Sequence, residues 1–377
     1  MNTAALRRLV LCIVFSAAAI SSWAMGDENP YVMDIQPHII GVDVGIGYRG
    51  LALLPTADTT IWAYLGGVYE WMSYYRDSAG NLIAPGSLAA TGSPDPGYTR
   101  IEGSWRLGID QGFAWNPRTK RNLVEAFAFY RGRVDANQIN AGELLYASSL
   151  PDRTGILLNM IQVGAAYDNV LTDAHHKGRD GVSAEVSAEW GPRFFFNTLF
   201  GDSDYLRFNG SFTWFLPLFD AAPDRPVNLF NVYLAEYLSV DYAVGLTAPV
   251  PLVVRQTFGG RNQLDGLGGQ VRGVDSDSLD TNLKAVNNLE IRLNLQPIVL
   301  PDIVPGLVAF WDSGFYDQVG EAGISSPGSG FVASVGAGAY LDFLDLGTGA
   351  VYVTYRLDNV NASGNRLGFM LEFGLHF

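Results

Sequence analysis

The chain has 377 residues, a formal net charge of −14, 43 glycines, 21 phenylalanines, 18 tyrosines, 8 tryptophans and one cysteine. An acidic chain without a basic patch is a poor partner for nucleic acid, and a single cysteine leaves no disulfide framework or thiolate metal site. Beyond the N-terminal segment no apolar run is long enough for a membrane helix, so a helical membrane protein is excluded.

The N-terminus has the layout of a signal peptide. Arg7 and Arg8 precede an apolar run from Leu9 to Ile20 that is too short to span a bilayer. Ser22 and Ala24 are the small residues of a cleavage site, which places the cut after Ala24. Residues 1–24 are then a signal peptide and residues 25–377 a single domain. Cys12 lies within the apolar run, with Leu11 where a lipoprotein needs a small residue, so cleavage leaves a chain without cysteine. Strands are expected from near Ile39. At about 22 residues per strand and connection, the mature chain makes about sixteen strands with no remainder for a second domain.

Gly45-Ile-Gly-Tyr-Arg-Gly50 spells a dinucleotide fingerprint, but the chain runs on to Pro55 where a helix would be required. Alternation then recurs along the chain. Ile101, Trp105, Leu107 and Ile109 alternate with Glu102, Ser104, Arg106 and Asp110, and Val182, Ala184, Val186, Ala188 and Trp190 with Ser183, Glu185, Ser187 and Glu189. Leu206, Phe208, Phe212 and Trp214 alternate with Arg207, Asn209, Ser211 and Thr213, and Leu289, Ile291, Leu293 and Leu295 with Glu290, Arg292 and Asn294. Segments such as Asp77–Asn81, Gly92–Gly97 and Ser325–Gly330 are turn-forming loops, and the longest irregular stretch runs from about Thr257 to Thr281. The C-terminal strand sets Phe369, Leu371, Phe373, Leu375 and Phe377 on one face and Gly368, Met370, Glu372, Gly374 and His376 on the other.

An apolar face of this kind enters lipid only as part of a closed barrel, where every backbone group finds a partner. A soluble sandwich alternates too. The signal peptide, the terminal Phe377 and the length favour an all-β transmembrane antiparallel barrel in the outer membrane, with charged residues lining its lumen. Phe377 closing such a strand resembles the C-terminal signature of bacterial outer-membrane barrels, which implies that Phe373, Leu375 and Phe377 act as an assembly signal.

Three segments carry a further resemblance: Gln270-Val-Arg-Gly-Val274, Asn288-Leu-Glu-Ile-Arg292 and Ala309-Phe-Trp-Asp-Ser-Gly314. In order and spacing they resemble the BamA/TamA superfamily, also called bacterial surface antigens. There a Val-Arg-Gly-aromatic motif sits at the tip of a long extracellular loop folded into the barrel. A Phe-x-Asp-x-Gly motif follows on a neighbouring strand, with a glutamate on the strand between. Val271, Arg272 and Gly273 match the first motif, Phe310, Asp312 and Gly314 the second, and Glu290 the third. Val274 stands where the family has an aromatic ring, which removes a packing group from the loop tip. No room exists between Ala24 and Ile39 for the POTRA domains that receive client polypeptides in the family, so the resemblance implies a POTRA-less member.

Alternation puts Glu290 inward, opposite to Leu289 and Ile291, and Phe310 and Asp312 inward, opposite to Ala309 and Trp311. Two lumenal carboxylates on adjacent strands repel unless a cation lies between them, and the planar fork of Arg272 can engage both. The implied function is assembly or translocation of outer-membrane proteins or lipids, or envelope integrity, without catalysis, cofactor or metal. The implied partners are outer-membrane lipids, the barrel assembly machinery with this chain as its client, and a periplasmic or membrane protein of unknown identity. A passive pore or structural barrel is the alternative. A lipase built on Gly201-Asp-Ser-Asp204 and His376 is weaker, because no triad geometry is encoded locally. His175-His176 would point to opposite sides of a strand and Asp275, Asp277 and Asp280 lack the glycine and glutamate of a calcium loop, so neither is a metal site.

Overall fold

Among the described residues, period-two alternation becomes fourteen antiparallel strands, each hydrogen-bonded to its neighbours in chain order. The computed structural model describes residues 30–38, 41–55, 57–72, 75–76, 82–83, 98–138, 152, 154–173, 177–223, 229–274, 279, 281–298, 303–317, 329–343, 347–358 and 366–373. The strands are β1 (Tyr31–His38), β2 (Gly41–Leu54), β3 (Ala57–Met72), β4 (Tyr98–Asn116), β5 (Arg121–Gln138), β6 (Gly155–Asp168) and β7 (Arg179–Gly191). They continue as β8 (Tyr205–Asp220), β9 (Phe230–Gly245), β10 (Leu283–Leu295), β11 (Ile303–Asp317), β12 (Gly330–Phe343), β13 (Gly347–Arg356) and β14 (Leu367–Phe373). The short strand Leu171–Thr172 adds to the edge of β7.

One expectation changes: among the described residues the first strand begins at Tyr31 rather than near Ile39. The fourteen strands in the described residues agree with a wall of about sixteen. Strands such as β4, with 19 residues, and β5, with 18, are much longer than the roughly ten that a membrane crossing requires. Among the described residues the sheet ends at two edges: β1 pairs with β2 and β14 with β13.

Polarity is inverted relative to a soluble domain. On β10, Lys284, Asn288, Glu290, Arg292 and Asn294 are buried, while Ile291 points out and is exposed. Leu65, Leu107, Val186, Val240, Trp311 and Val351 are likewise exposed, whereas Arg131, Arg207 and Asp241 are buried. Exposed apolar faces with buried charge are informative, and they match a wall with lipid outside and polar groups inside. On β14, Phe369 and Leu371 are 78% and 70% exposed. The side chain of Phe373, and all of Leu375 and Phe377, lie outside the described residues. Among the described residues no helix is long and apolar enough to cross a membrane.

The two ends of the wall differ. Chain order puts connections 73–97, 139–154, 192–204, 246–282, 318–329 and 357–366 at one end, with the short 39–40, and 55–56, 117–120, 169–178, 221–229, 296–302 and 344–346, none longer than ten residues, at the other. Outer-membrane barrels carry long loops outside and short turns in the periplasm. A membrane-embedded wall of this kind should shift in mobility on boiling before electrophoresis and resist protease in membranes, because its backbone bonds are mutually satisfied. Identical mobility with and without boiling would contradict the fold.

Candidate functional site

The connection between β9 and β10, residues 246–282, turns into the lumen. It leaves the wall earlier than the sequence suggests, through a five-residue helix, Leu252–Gln256, in which every residue is buried. Val250, Val253 and Val254 pack against Ile156, Leu158, Met160, Tyr205 and Ala243 of the wall. The Leu252 N–H donates to Asp152 Oδ2 at 2.5 Å. The loop then forms a small hairpin, Thr257–Phe258 against Leu264–Asp265, and a helical turn at Leu267–Gln270 before it returns through Val271–Val274.

Arg272 makes the densest contacts. Its Nε and Nη2 donate to Asp312 Oδ2 and Oδ1, both at 2.7 Å, and its backbone N–H donates to Oδ2 at 3.0 Å. Its Nη1 lies 2.6 Å from Glu290 Oε1, an ion pair off the hydrogen-bond axis. The other Glu290 oxygen accepts from Arg292 Nε at 2.5 Å. Pairing sets Glu290 opposite Phe310 and Asn288 opposite Asp312, so the two carboxylates are diagonal neighbours on the lumenal face of β10 and β11. The guanidinium carbon of Arg272 sits 3.5 Å from the Phe310 ring centroid and 5.1 Å from that of Tyr352. Arg272 is 0% exposed, and two arginines balance two carboxylates.

The neighbours of Arg272 are shaped to admit it. Gly273 has φ +86, and a Cβ there would lie 2.6 Å from Thr354 Oγ1 of β13, so both conformation and space demand glycine. A Cβ on Gly314 of β11 would lie 2.7 Å from Leu267 and 3.1 Å from Val271 of the loop. Val271 and Val274 are buried in one apolar cluster with Phe258, Leu267, Leu279, Tyr237, Val286, Tyr316 and Val332. Wall residues Tyr237 and Tyr316 thus supply aromatic packing at the loop tip, where the chain itself carries Val274.

A second anchor lies across the lumen, at the hairpin. Asp241 of β9 accepts from Arg207 Nε at 3.0 Å and from the Gly259 N–H at 2.8 Å, and it pairs with Lys284 Nζ at 3.0 Å. Gln162 of β6 donates to the Gly260 carbonyl at 2.7 Å. The Arg261 N–H donates to Glu185 Oε1 at 2.5 Å, and its Nη1 pairs with Glu125 Oε1 at 2.5 Å. Its carbonyl accepts from Arg106 and Arg131. Glu185, Arg207, Arg106 and Arg292 stand on the polar side of the alternating segments, and that was their signal in the sequence. Nothing local marked Arg261 as the partner of Glu185 and Arg106.

The other sequence candidates do not join this site. Gly45–Gly50 lies within β2, and Ser203 is fully buried in the connection between β7 and β8. His175, His176, Asp275, Asp277, Asp280 and His376 lie outside the described residues. Among the described residues no group of three or more His, Cys, Asp or Glu side chains is placed to hold a metal ion.

A wall apolar outside, charged inside and stoppered by its own loop defines a membrane β-barrel with an inserted loop. The Omp85 superfamily domain matches residues 101–377, and the chain belongs to that superfamily. It is similar in structure to BamA from Haemophilus ducreyi lacking POTRA domains 1–3, with TM-score 0.52, 11% identity, and 90% of this chain and 63% of that one covered. It is also similar to CdiB from Escherichia coli, with TM-score 0.50, 15% identity and coverages of 88% and 56%. For CdiB from Acinetobacter baumannii the TM-score is 0.50, the identity 13% and the coverages 88% and 49%. The chain thus spans less than two thirds of each of these structures. No curated protein matches it.

Arg272→Ala should cost about 3–5 kcal/mol of stability, as for removal of one partner of a buried ion pair, and should speed proteolysis within residues 246–282. Adding Asp312→Asn should recover part of that loss, because it relieves the repulsion with Glu290. A double-mutant cycle on unfolding and on loop cleavage measures the coupling. Strict additivity would show that the two side chains do not act together.

Proposed function

We propose that this protein is an outer-membrane barrel of the assembly or translocation type, which helps outer-membrane proteins or lipids into place and supports envelope integrity. The observation that carries this reading is the loop itself, held across the lumen by Arg272 at one wall and Arg261 at the other. A passive pore needs an open lumen; this one is crossed by a buried, charge-neutralised segment. Family membership and the likeness to BamA and CdiB support the same class. The two edges of the sheet among the described residues, β1 and β14, are in this proposal the place where the wall yields to a client or to lipid.

The role requires no cofactor and no catalysis. Phe373, Leu375 and Phe377 serve, in this proposal, as the signal by which the barrel assembly machinery inserts the chain as its own client. Bilayer lipids are direct partners, and a periplasmic or membrane protein of unknown identity supplies client delivery. Nucleic acid has no part in it.

Depletion of the protein should change the inventory of outer-membrane proteins or lipids, and the purified barrel should conduct little and erratically in planar bilayers. Arg272→Ala should raise conductance. Steady, large conductance steps from the unaltered protein, with an unchanged envelope inventory after depletion, would assign it as a passive pore instead.

A further inference from the structure

The connection between β7 and β8 begins Pro192-Arg-Phe-Phe-Phe-Asn-Thr-Leu-Phe200. Phe194, Phe196 and Leu199 are 67%, 67% and 72% exposed, and Phe200 is exposed as well. We infer that this turn is a rigid wedge seated in the bilayer, with its phenylalanines and leucine among the acyl chains of the leaflet at the long-connection end. The inference goes beyond the proposed assembly role and does not rest on it.

The first support is the way the turn joins the wall. β5 and β6 extend past the ends of β7 and β8, which would leave an unpaired edge along β6. The turn closes that edge. The Leu157 N–H donates to the Phe200 carbonyl at 2.8 Å. The Asn159 N–H donates to Asn197 Oδ1 at 2.6 Å, and Asn197 Nδ2 donates to the Asn159 carbonyl at 2.9 Å. Asn197 Nδ2 also donates to the Pro192 carbonyl at 3.0 Å, so one buried side chain ties the turn together and ties it to β6. Backbone satisfied in this way can lie against hydrocarbon; an open edge cannot.

The second support is a polar residue on the lipid-facing side. Ile161 pairs with Tyr130 and Asn159 with Gly132, so Asn159 shares the outward face of exposed Tyr130, Ile161 and Val163. An asparagine facing lipid would be costly to leave unpaired. Here it is only 5% exposed, because its Nδ2 donates to the Phe195 carbonyl at 2.9 Å and its Oδ1 accepts from the Tyr130 hydroxyl at 2.6 Å. The turn therefore leans outward over the wall, away from the lumen.

The third support is continuity with the apolar band. Phe195 meets Tyr130 edge-on at 6.5 Å between centroids, and Phe194 meets the outward Trp190 at 5.6 Å. The exposed rings thus prolong the lipid-facing surface of β5–β7. Phe196 holds φ +65, a conformation that is rare for a bulky side chain and is kept only where surroundings impose it. Its neighbour Asn197 is tied to Pro192 and Asn159, and the Phe196 ring is left exposed. Arg193 pairs with Asp202 at 3.0 Å on the exposed rim of the turn, as suits a segment that enters the headgroup layer and leaves it.

The test uses the full barrel in phosphatidylethanolamine–phosphatidylglycerol vesicles; the one native cysteine, Cys12, lies in the expected signal peptide, so the introduced cysteine is the sole labelling site of the cleaved chain. Phe196→Cys and Leu199→Cys are each spin-labelled, with Asn262→Cys on the inserted loop as an aqueous reference and boiling-dependent mobility as the check on folding. Both turn labels should collide several-fold more with oxygen than with a water-soluble nickel chelate, relative to Asn262. Asn197→Ala, which unties the turn, should move the Phe196 label toward the chelate. Turn labels as accessible to nickel as Asn262 would overturn the inference. So would labels shielded from both reagents, since that pattern belongs to a protein contact.

Discussion

A guanidinium with no solvent exposure must find its counter-charges in the protein, and Arg272 finds them on two strands at once. Asp312 takes its fork and its backbone N–H, while Glu290 meets the third nitrogen and is itself shared with Arg292. Removing any member leaves a charge stranded in a poorly polarisable place, where the penalty is several-fold larger than for a surface pair. Alternation on β10 and β11, glycine at 273 and 314, and the ring of Phe310 beneath the guanidinium all serve that one contact. The return limb of the loop is thereby pinned to the β10–β13 side of the wall.

A single pin would leave the hairpin free to swing. Arg261 reaches the β4–β7 side, where Glu125 and Glu185 take its charge and Arg106 and Arg131 hold its carbonyl. Between the pins, Asp241 gathers Arg207, Lys284 and the Gly259 N–H. A wide barrel has no apolar core of its own. Here the loop provides one in two parts, at Val250–Val254 and around Phe258, Leu267 and Val271. The lumen is a folded interior in which ion pairs set the register of the loop and apolar side chains fill the space between them.

Much of the wall and the first pin could be seen in the sequence, because alternation fixes which face a strand residue takes. Glu290, Phe310 and Asp312 take their lumenal side from their neighbours Ile291, Ala309 and Trp311, whereas Arg272 is marked by the resemblance of Val271-Arg-Gly273 to a family loop motif, and the repulsion of two carboxylates adds a physical reason. The second pin was invisible. Its partners, Glu125 and Glu185, lie 136 and 76 residues from Arg261, and only the curving of the wall around the loop brings them together. Strand β1 was missed because Pro37 interrupts its donors, which an edge strand tolerates. The helix at Leu252–Gln256 is too short to show a helical period, so its apolar residues gave no sign of leaving the wall. Asn159 looks like any polar strand residue until the turn that covers it is placed.

The central claim is that residues 252–260 and 266–274 form the packed interior of the barrel, with the hairpin tip between them exposed. Hydrogen exchange on the protein in lipid nanodiscs tests it directly, since exchange reports the opening of each hydrogen-bonded unit. Amides of Gly259, Arg261 and Arg272, which donate to Asp241, Glu185 and Asp312, should exchange as slowly as those of β10 and β11. Exchange of all three at the rate of the exposed turn at residues 117–120 would contradict it and return the loop to solvent.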